Sequence, residues 1–354
     1  MAKQFSRIKI RQSHKLINLN FHKIAKCYLH KMASSVINEE ELRAFLMTSD
    51  EEIDQITSIS NFEKYEDPTN FEVCNELVQL IKYELNKECD SYVIGPRKMG
   101  LSEGKAEIAI FLDIGQDGFF SDRNYKKNIQ EIKILEGLLR KQSKWRILRL
   151  NHALPSLNVI YRPTNQRCDL SVTNGFSVQI SEMIGHFFRI QPEAVKFYHF
   201  IRIWLRINGI NFKAFTLTLL VMNYLQEANL MPTAFNAQKN INQNFIEGIP
   251  VIFDPDRDIC SYSVKKMPYY YVHIRGFFRY YASFNFAENV ISTYYGYPVQ
   301  KEEYQPRLDY DSPMCVAAFL NQKCNISRYV KEEQVENFTA VCHASYKFLI
   351  RNNY

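Results

Sequence analysis

The hydrophobic period changes twice along this chain, and this change constrains the fold more than any other feature. Between residues 91 and 178, short segments such as "EIAIFLDI", "LNVIYR" and "CDLSV" alternate apolar and polar residues, which is the pattern of half-buried strands. One segment among them, "NIQEIKILEGLLRKQ", has apolar residues at helical spacing instead. Strands arranged around a helix predict a mixed sheet with packed helices, so the expected fold class is α+β.

Helical spacing dominates the rest of the chain. It is visible before the strands in "FEVCNELVQLIKYEL" and after residue 182 in "AVKFYHFIRIWLRI", "FTLTLLVMNYLQEA", "IRGFFRYYASFNF" and "ENFTAVCHASYKFLIR". We therefore predict three parts: a basic, helical N-terminal extension over residues 1–62, a sheet domain over residues 63–187 and a helical domain over residues 188–354.

Positive charge is concentrated near the N-terminus. The net charge is +6, and no Asp or Glu precedes Glu39. The basic residues before that point are Lys3, Arg7, Lys9, Arg11, Lys15, Lys23, Lys26 and Lys31. Such a segment is typical of an arm that contacts phosphates; a mitochondrial presequence is the alternative, but presequences favour Arg and Ser. We expect the protein to be located in the cytoplasm or the nucleus. The basic N-terminus is also compatible with a mitochondrial location.

Cysteine spacing and hydropathy argue against several other classes. The eight cysteines include no C-x-x-C pair, which disfavours a zinc site and a disulfide framework and favours reduced intracellular thiols. Cys342 and His343 have no identifiable third group that would orient a nucleophile. The longest apolar stretch, Phe215–Leu225, is shorter than the roughly 20 residues of a membrane span and is predicted to be a buried helix. No membrane partner is expected, and a monomer is expected.

The strand "EIAIFLDI" carries the first candidate metal-binding residues. Residues i and i+2 of a strand share a face, so an acid-x-acid pair there can aim two carboxylates at one place, as two-metal phosphoryl transfer requires. Here the strand supplies Glu107 but carries Ala109 at the second position, while Asp169 of "CDLSV" is placed to be a third acid. Asp113 shares that face, but four residues along a strand span about 13 Å, which is too far for it to replace Ala109.

Three sequence motifs carry a resemblance to a known family. The segments "IGPRKMGLSEGKAEIAIFLDI", "RCDLSVTNGFSV" and "GFFRYYASFNFAENVIS" resemble, in order, motifs of the noncanonical poly(A) polymerases and terminal uridylyltransferases, which are polymerase-beta-like nucleotidyltransferases. The resemblance covers roughly residues 70 to 350. It implies a nucleotidyltransferase palm, a helical poly(A)-polymerase-associated domain, Mg²⁺ or Mn²⁺ as cofactor, a nucleoside triphosphate substrate and an RNA 3′ end as acceptor.

Departures from the family pattern affect the metal site. Pro96, after Gly95, occupies the position of a phosphate-contacting Ser, and proline offers neither a hydroxyl nor an N–H. Glu107 replaces the first metal-binding Asp of the family, and Ala109 replaces the second, which bridges both metals in the family. Only Glu107 and Asp169 remain as candidate catalytic and metal-binding residues, and we expect their metal binding to be weak or absent.

Departures also affect the implied nucleotide pocket. Ile180 stands at the position of a ribose-contacting Asn, Ala214 at that of a phosphate-contacting Ser, and Cys324, before Asn325, at that of a uracil-reading His. Phe215 replaces a base-stacking Tyr and so keeps the aromatic face without the hydroxyl. Arg202 and Arg206 stand where two triphosphate-binding lysines are expected, and at i and i+4 they share one helix face. The residues Gly95, Pro96, Arg202, Arg206, Ala214, Phe215 and Cys324 are thus the candidate nucleotide-binding set.

Three functions are compatible with these residues. The first is a pseudoenzyme that binds RNA or a protein partner, with weak or no affinity for a nucleoside triphosphate and no cofactor. The second is a working terminal uridylyl- or adenylyltransferase in which Glu107 and Asp169 hold Mg²⁺ or Mn²⁺ in an altered site. The third is a structural subunit that supports or competes with an active relative. The altered positions all line one cleft, and this pattern favours the first.

Overall fold

The structure is a computed structural model that describes residue 46 and residues 68–102, 106–115, 118–122, 124–152, 155–304, 308 and 311–351. The predicted basic extension, residues 1–62, lies outside the described residues apart from Leu46. That residue is buried in the core of the C-terminal helices.

The described elements follow the change of period seen in the sequence. In the first half they are α1 (Pro68–Leu85), β1 (Cys89–Ile94), β2 (Ile108–Ile114), α2 (Tyr125–Arg140), β3 (Trp145–Asn151), β4 (Ser156–Tyr161), β5 (Gln166–Ser171) and α3 (Phe176–Ile190). In the second half they are α4 (Pro192–Ile207), α5 (Ala214–Glu227), α6 (Ala234–Gln238), β6 (Phe245–Ile246), β7 (Ile249–Pro250), α7 (Ile274–Ala282), β8 (Asn289–Ile291), β9 (Val299–Gln300), β10 (Cys315–Val316) and α8 (Glu332–Arg351). Two 3-10 turns, Cys260–Tyr262 and Tyr270–His273, precede α7. The α+β class is confirmed.

Five strands form one mixed sheet in the order β1-β2-β5-β4-β3. β2 and β5 are parallel, and the other neighbouring pairs are antiparallel. Both β2 and β5 therefore lie inside the sheet, with a strand on each side. The strand expected to start at Glu107 begins one residue later, at Ile108.

One face of this sheet is covered by helices. Ile108, Ile110 and Leu112 of β2 alternate along the strand and enter a core that also contains the buried stripes of α1 and α2. Burying each such side chain contributes about 1.5 to 3 kcal/mol, so this face fixes the register of the strands. A one-residue slip would move every apolar side chain to the opposite face. Ala109, Phe111 and Asp113 of β2 consequently lie on the other face, away from α1 and α2.

The second core is helical and rich in aromatic residues. Trp204 of α4, Phe277, Phe278 and Tyr281 of α7, and Phe338 of α8 are all fully buried in it. The buried residues of α3 join the same core, and the predicted limit between residues 187 and 188 falls within that helix. The division into these three domains stays a prediction. Among the described residues, no helix is long and apolar enough to cross a membrane.

Candidate active site

A row of three register partners crosses the face of the sheet that lies opposite α1 and α2. Ala109 of β2 pairs with Asp169 of β5, and Asp169 pairs with Asn158 of β4. Directly opposed residues point to the same side of a sheet, so the three side chains are neighbours. Glu107, two residues before Ala109, lies on the same side. The strand order thus brings the two predicted acids together on one face of the sheet, opposite α1 and α2.

Asn158 holds the two carboxylates. Its Nδ2 donates to Asp169 Oδ1 at 2.9 Å and to Glu107 Oε1 at 3.4 Å. Sequence reasoning missed this residue, because an Asn inside an alternating strand is an ordinary exposed position. Its role follows from its pairing with Asp169, which only the strand order reveals.

Both carboxyl groups are harder to ionise than usual. Partial burial raises the pKa of Glu107, the charge of Asp169 raises it further, and Arg167 opposes the shift. Burial also raises the pKa of Asp169, against a hydrogen bond with Ser156 that lowers it. The negative charge of Asp169 thus disfavours the ionised form of Glu107, and Arg167 offsets this only in part.

The turn after β1 rests on α3 beside Ala109. Gly95 has a φ of +70°, which a glycine adopts without strain, and a Cβ added there would lie 3.9 Å from Ala109 Cβ. The Gly95 N–H donates to Ser181 Oγ of α3 at 2.8 Å, so it is already engaged by the protein. Pro96 is exposed and accepts a backbone hydrogen bond from Leu101.

The two predicted arginines lie on one face of α4, near the end of that turn. Arg202 is half-buried, and its Nη1 is 3.5 Å from the carbonyl oxygen of Leu101. Arg206, one turn later, is exposed. From the turn itself, Lys98 pairs with Glu182 of α3 at 3.3 Å. The glycine turn and the arginines are thus in the same region, as the predicted nucleotide-binding set requires.

The start of α5 forms a second polar cluster. Tyr329 accepts a hydrogen bond from the Lys213 backbone at 2.6 Å and donates to Thr216 Oγ1 at 3.0 Å, while Lys213 Nζ lies 4.3 Å from the centre of its ring. Ala214 and Phe215, the predicted pocket residues, are half-buried between Lys213 and Thr216. Tyr329 was not identified from the sequence, because nothing in its local pattern separates it from other tyrosines.

The remaining predicted residues have less direct roles in the described structure. Ile180 packs against the helical core, and Cys324 is exposed. Asn325 is buried and accepts hydrogen bonds from the backbone of Val316 and Ser327, so it organises its own loop. Cys342 is fully buried, and burial raises the pKa of its thiol well above the usual value, which disfavours a nucleophilic role.

Asp113 lies at the opposite end of β2 and does not join the two acids. Asp113 is the register partner of Asp90 on β1, and its Oδ1 accepts a hydrogen bond from the Gly118 N–H at 3.1 Å. It lines a separate cavity of about 230 Å³ with residues of α2, including Lys127 and Glu131. Asp113 therefore has different neighbours from Glu107 and Asp169, as its distance along the strand predicts.

Comparison with known proteins agrees with this geometry. Residues 272–317 match the family model described as Cid1 family poly A polymerase. Poly(A) RNA polymerase cid11 of Schizosaccharomyces pombe (strain 972 / ATCC 24843) is 21% identical over 197 residues, which are 52% of this chain and 40% of that relative. The chain therefore spans less than half the length of this curated relative.

Solved structures share the fold across most of the chain. A crystal structure of mtPAP in complex with CTP superposes with a TM-score of 0.71 at 20% identity, covering 90% of this chain and 72% of that one. A variant of the Cid1 poly(U) polymerase bound to MgATP gives a TM-score of 0.67 at 14% identity, covering 87% and 97%. The chain is thus similar in fold to the noncanonical poly(A) polymerases and poly(U) polymerases, and one segment of it matches their family model. The five-stranded sheet corresponds to the palm of that fold, and residues 272–317 are similar to the poly(A)-polymerase-associated domain.

The residues of this palm fit a divalent cation only in part. Glu107 and Asp169 offer oxygen ligands of the kind that Mg²⁺ and Mn²⁺ prefer. Ala109, directly opposite Asp169, offers none, so the carboxylate that would bridge a second cation is missing from the row. Among the described residues, no group of three or more His, Cys, Asp or Glu side chains is close enough to hold a metal. A cation bound here would supply charge neutralisation for the two acids.

Proposed function

We propose that this protein is a nucleotidyltransferase-fold pseudoenzyme that binds RNA without extending it. The observation that carries the proposal is the row Ala109, Asp169 and Asn158. The position opposite Asp169 has a methyl group, and the two remaining carboxylates share a neutral amide donor. Two-metal transfer needs ligands that clamp both the attacking and the leaving oxygens, and this row supplies ligands for one cation at most.

The phosphate-binding side supports the same proposal. Pro96 has no N–H to donate, and the N–H of Gly95 is taken by Ser181. Arg202 and Arg206 keep positive charge near the cleft, which suits the phosphates of RNA as well as those of a nucleotide. Polyanion binding is thus retained on a surface where transfer is not supported.

An extension assay tests the proposal. The full chain is incubated with a labelled RNA oligonucleotide and each of the four nucleoside triphosphates in Mg²⁺ or Mn²⁺. We expect no product longer than the substrate, and the Asp169→Asn variant serves as the matched control for contaminating activity. Extension by the wild-type chain that Asp169→Asn abolishes would contradict the proposal and establish the altered transferase instead.

A restored site provides the complementary test. Ala109→Asp with Pro96→Ser returns the bridging carboxylate and the hydroxyl that the family pattern has. Extension by this double variant would show that these two positions account for the inactivity of the wild-type chain. RNA binding itself should weaken steeply with added salt; salt-insensitive association would favour a protein partner.

A further inference from the structure

The structure assigns a second RNA contact to a tyrosine surface outside the cleft. We infer that Tyr269 and Tyr271, with Lys265 and Lys266, form a docking surface for single-stranded RNA; these four residues are called the tyrosine surface below. The inference rests on the proposed function, because both take RNA as the partner.

The two tyrosine rings are exposed and nearly parallel. Tyr269 is 54% and Tyr271 45% exposed, and their ring centres are 5.5 Å apart with an interplanar angle of 14°. Large aromatic side chains normally bury most of their surface. A stacked pair that is exposed to solvent therefore offers a ring face on which a ligand can stack. Unpaired bases stack on such faces with little sequence preference.

The surface is held in place by buried neighbours. Tyr270, between the two exposed rings, is fully buried, and its N–H donates to Glu193 Oε2 at 3.2 Å. Gln191, also buried, donates to the Lys265 carbonyl at 2.9 Å and accepts from Met267 N at 2.9 Å. These bonds fix the segment on both sides of the lysines, so a ligand would meet a preformed surface and lose little free energy in ordering it.

The charged side chains of the segment that carries the tyrosine surface are all basic. No Asp or Glu occurs from residue 259 to residue 287, a stretch that contains Lys265, Lys266, Arg275 and Arg279, all of them exposed. Acids from outside this segment approach it. Glu193 bonds the Tyr270 backbone and pairs with Lys196 at 3.1 Å. Asp258 bonds Ser261, and Glu227 lies near Tyr280. Exposed rings beside lysines in an acid-free segment match the stacking-plus-phosphate chemistry of single-stranded RNA binding.

Binding of a fluorescent single-stranded oligouridylate by the full chain tests this surface. Tyr269→Ala with Tyr271→Ala should weaken binding about tenfold or more, because each base stacked on an aromatic ring contributes strongly. Tyr269→Phe with Tyr271→Phe keeps both rings and should bind like the wild type. Lys265→Ala with Lys266→Ala should reduce the slope of log affinity against log salt by about 0.7 for each phosphate that the lysines neutralise. Unchanged thermal unfolding would show that the variants are folded.

The results that this experiment can give separate the tyrosine surface from the proposed function. If the alanine pair binds as tightly as the wild type while Arg202→Ala with Arg206→Ala does not, RNA binds in the cleft only. The tyrosine surface is then contradicted and the proposed function stands. A wild-type chain that binds no oligonucleotide contradicts both. A wild-type dimer that Tyr269→Ala and Tyr271→Ala convert to a monomer in sedimentation analysis also overturns the inference, because the rings would then serve self-association.

Discussion

Ala109 and Asp169 face each other across β2 and β5 of the palm sheet. A methyl group thus lies beside a half-buried carboxylate, at the position where the family pattern has a second carboxylate. This pairing limits which cations the site can bind, and it leads to predictions about the effects of metal on a restored site, of pH, and of the neighbours of the two acids.

Restoring the carboxylate should make the fold depend on metal. Ala109→Asp adds a third negative charge beside Glu107 and Asp169, so we expect a lower melting temperature in EDTA than for the wild type. Mg²⁺ or Mn²⁺ should reverse this destabilisation, by about 2.7 kcal/mol at a hundredfold excess over the dissociation constant. Thermal unfolding with and without metal measures this effect. An Ala109→Asp variant that metal does not stabilise beyond the wild type would contradict the assignment of the row.

The Asn158 amide should contribute most to the stability of the fold when both acids are charged. Asn158→Ala removes the donor that Glu107 and Asp169 share, and we expect the free energy of unfolding to fall by about 1 to 2 kcal/mol. The same substitution in an Asp169→Asn background should cost less, because one of the two repelling charges is gone. Urea unfolding of the four proteins completes this double-mutant cycle. Equal costs in both backgrounds would show that Asn158 acts independently of the acids.

Stability should depend on pH through the same pair. The folded state keeps protons on Glu107 and Asp169 above their ordinary pKa values of 4.5 and 3.8, where the unfolded chain has already released them. The folded state therefore binds more protons, and stability falls as the pH rises through this range.

Asp169→Asn removes one of these carboxyl groups and its effect on the other. We expect its free energy of unfolding to fall less than that of the wild type as the pH rises above about 4. The part of this difference that comes from Glu107 should be small, since Glu107 is exposed and solvent screens its charge. Unfolding free energies measured across this range check the sign. A larger fall in the variant than in the wild type would contradict the repulsion between the two acids.

The packing of the glycine turn on α3 can be tested with a matched pair of glycines. A Cβ on Gly185 would lie 2.8 Å from the Lys98 carbonyl oxygen, whereas a Cβ on Gly137 of α2 would meet nothing within 4 Å. Gly185→Ala should therefore destabilise the protein by about 1 to 3 kcal/mol, and Gly137→Ala should stabilise it by about 0.5 to 1 kcal/mol. Melting temperatures of both variants give the comparison. A Gly185→Ala protein as stable as the wild type would mean that the turn is free to move away.

The sequence predicted the elements better than their contacts. The alternation of "EIAIFLDI" is enough to place Glu107, Ala109 and Asp113 on one face of a strand, because side-chain direction depends on local geometry alone. That Asp169 lies opposite Ala109 also requires β2 and β5 to be neighbours in register, which the alternation within each strand does not determine.

The contacts that the sequence did not predict are long-range. Asn158 reaches the acids because β4 lies next to β5, and Tyr329 reaches Lys213 because a distant loop folds over the start of α5. Ser181 accepts from the Gly95 N–H although it lies 86 residues away along the chain. None of these partners alters the apolar–polar pattern of its own segment, so residue patterns alone could not identify them.

The most direct test of the central claim is a crystal of the full chain grown with Mn²⁺ and a nonhydrolysable nucleoside triphosphate, examined by anomalous scattering. We expect at most one manganese peak between Glu107 and Asp169, with no second ion beside Ala109. A pair of peaks about 3.5 to 4 Å apart, holding the triphosphate against the palm, would contradict this expectation.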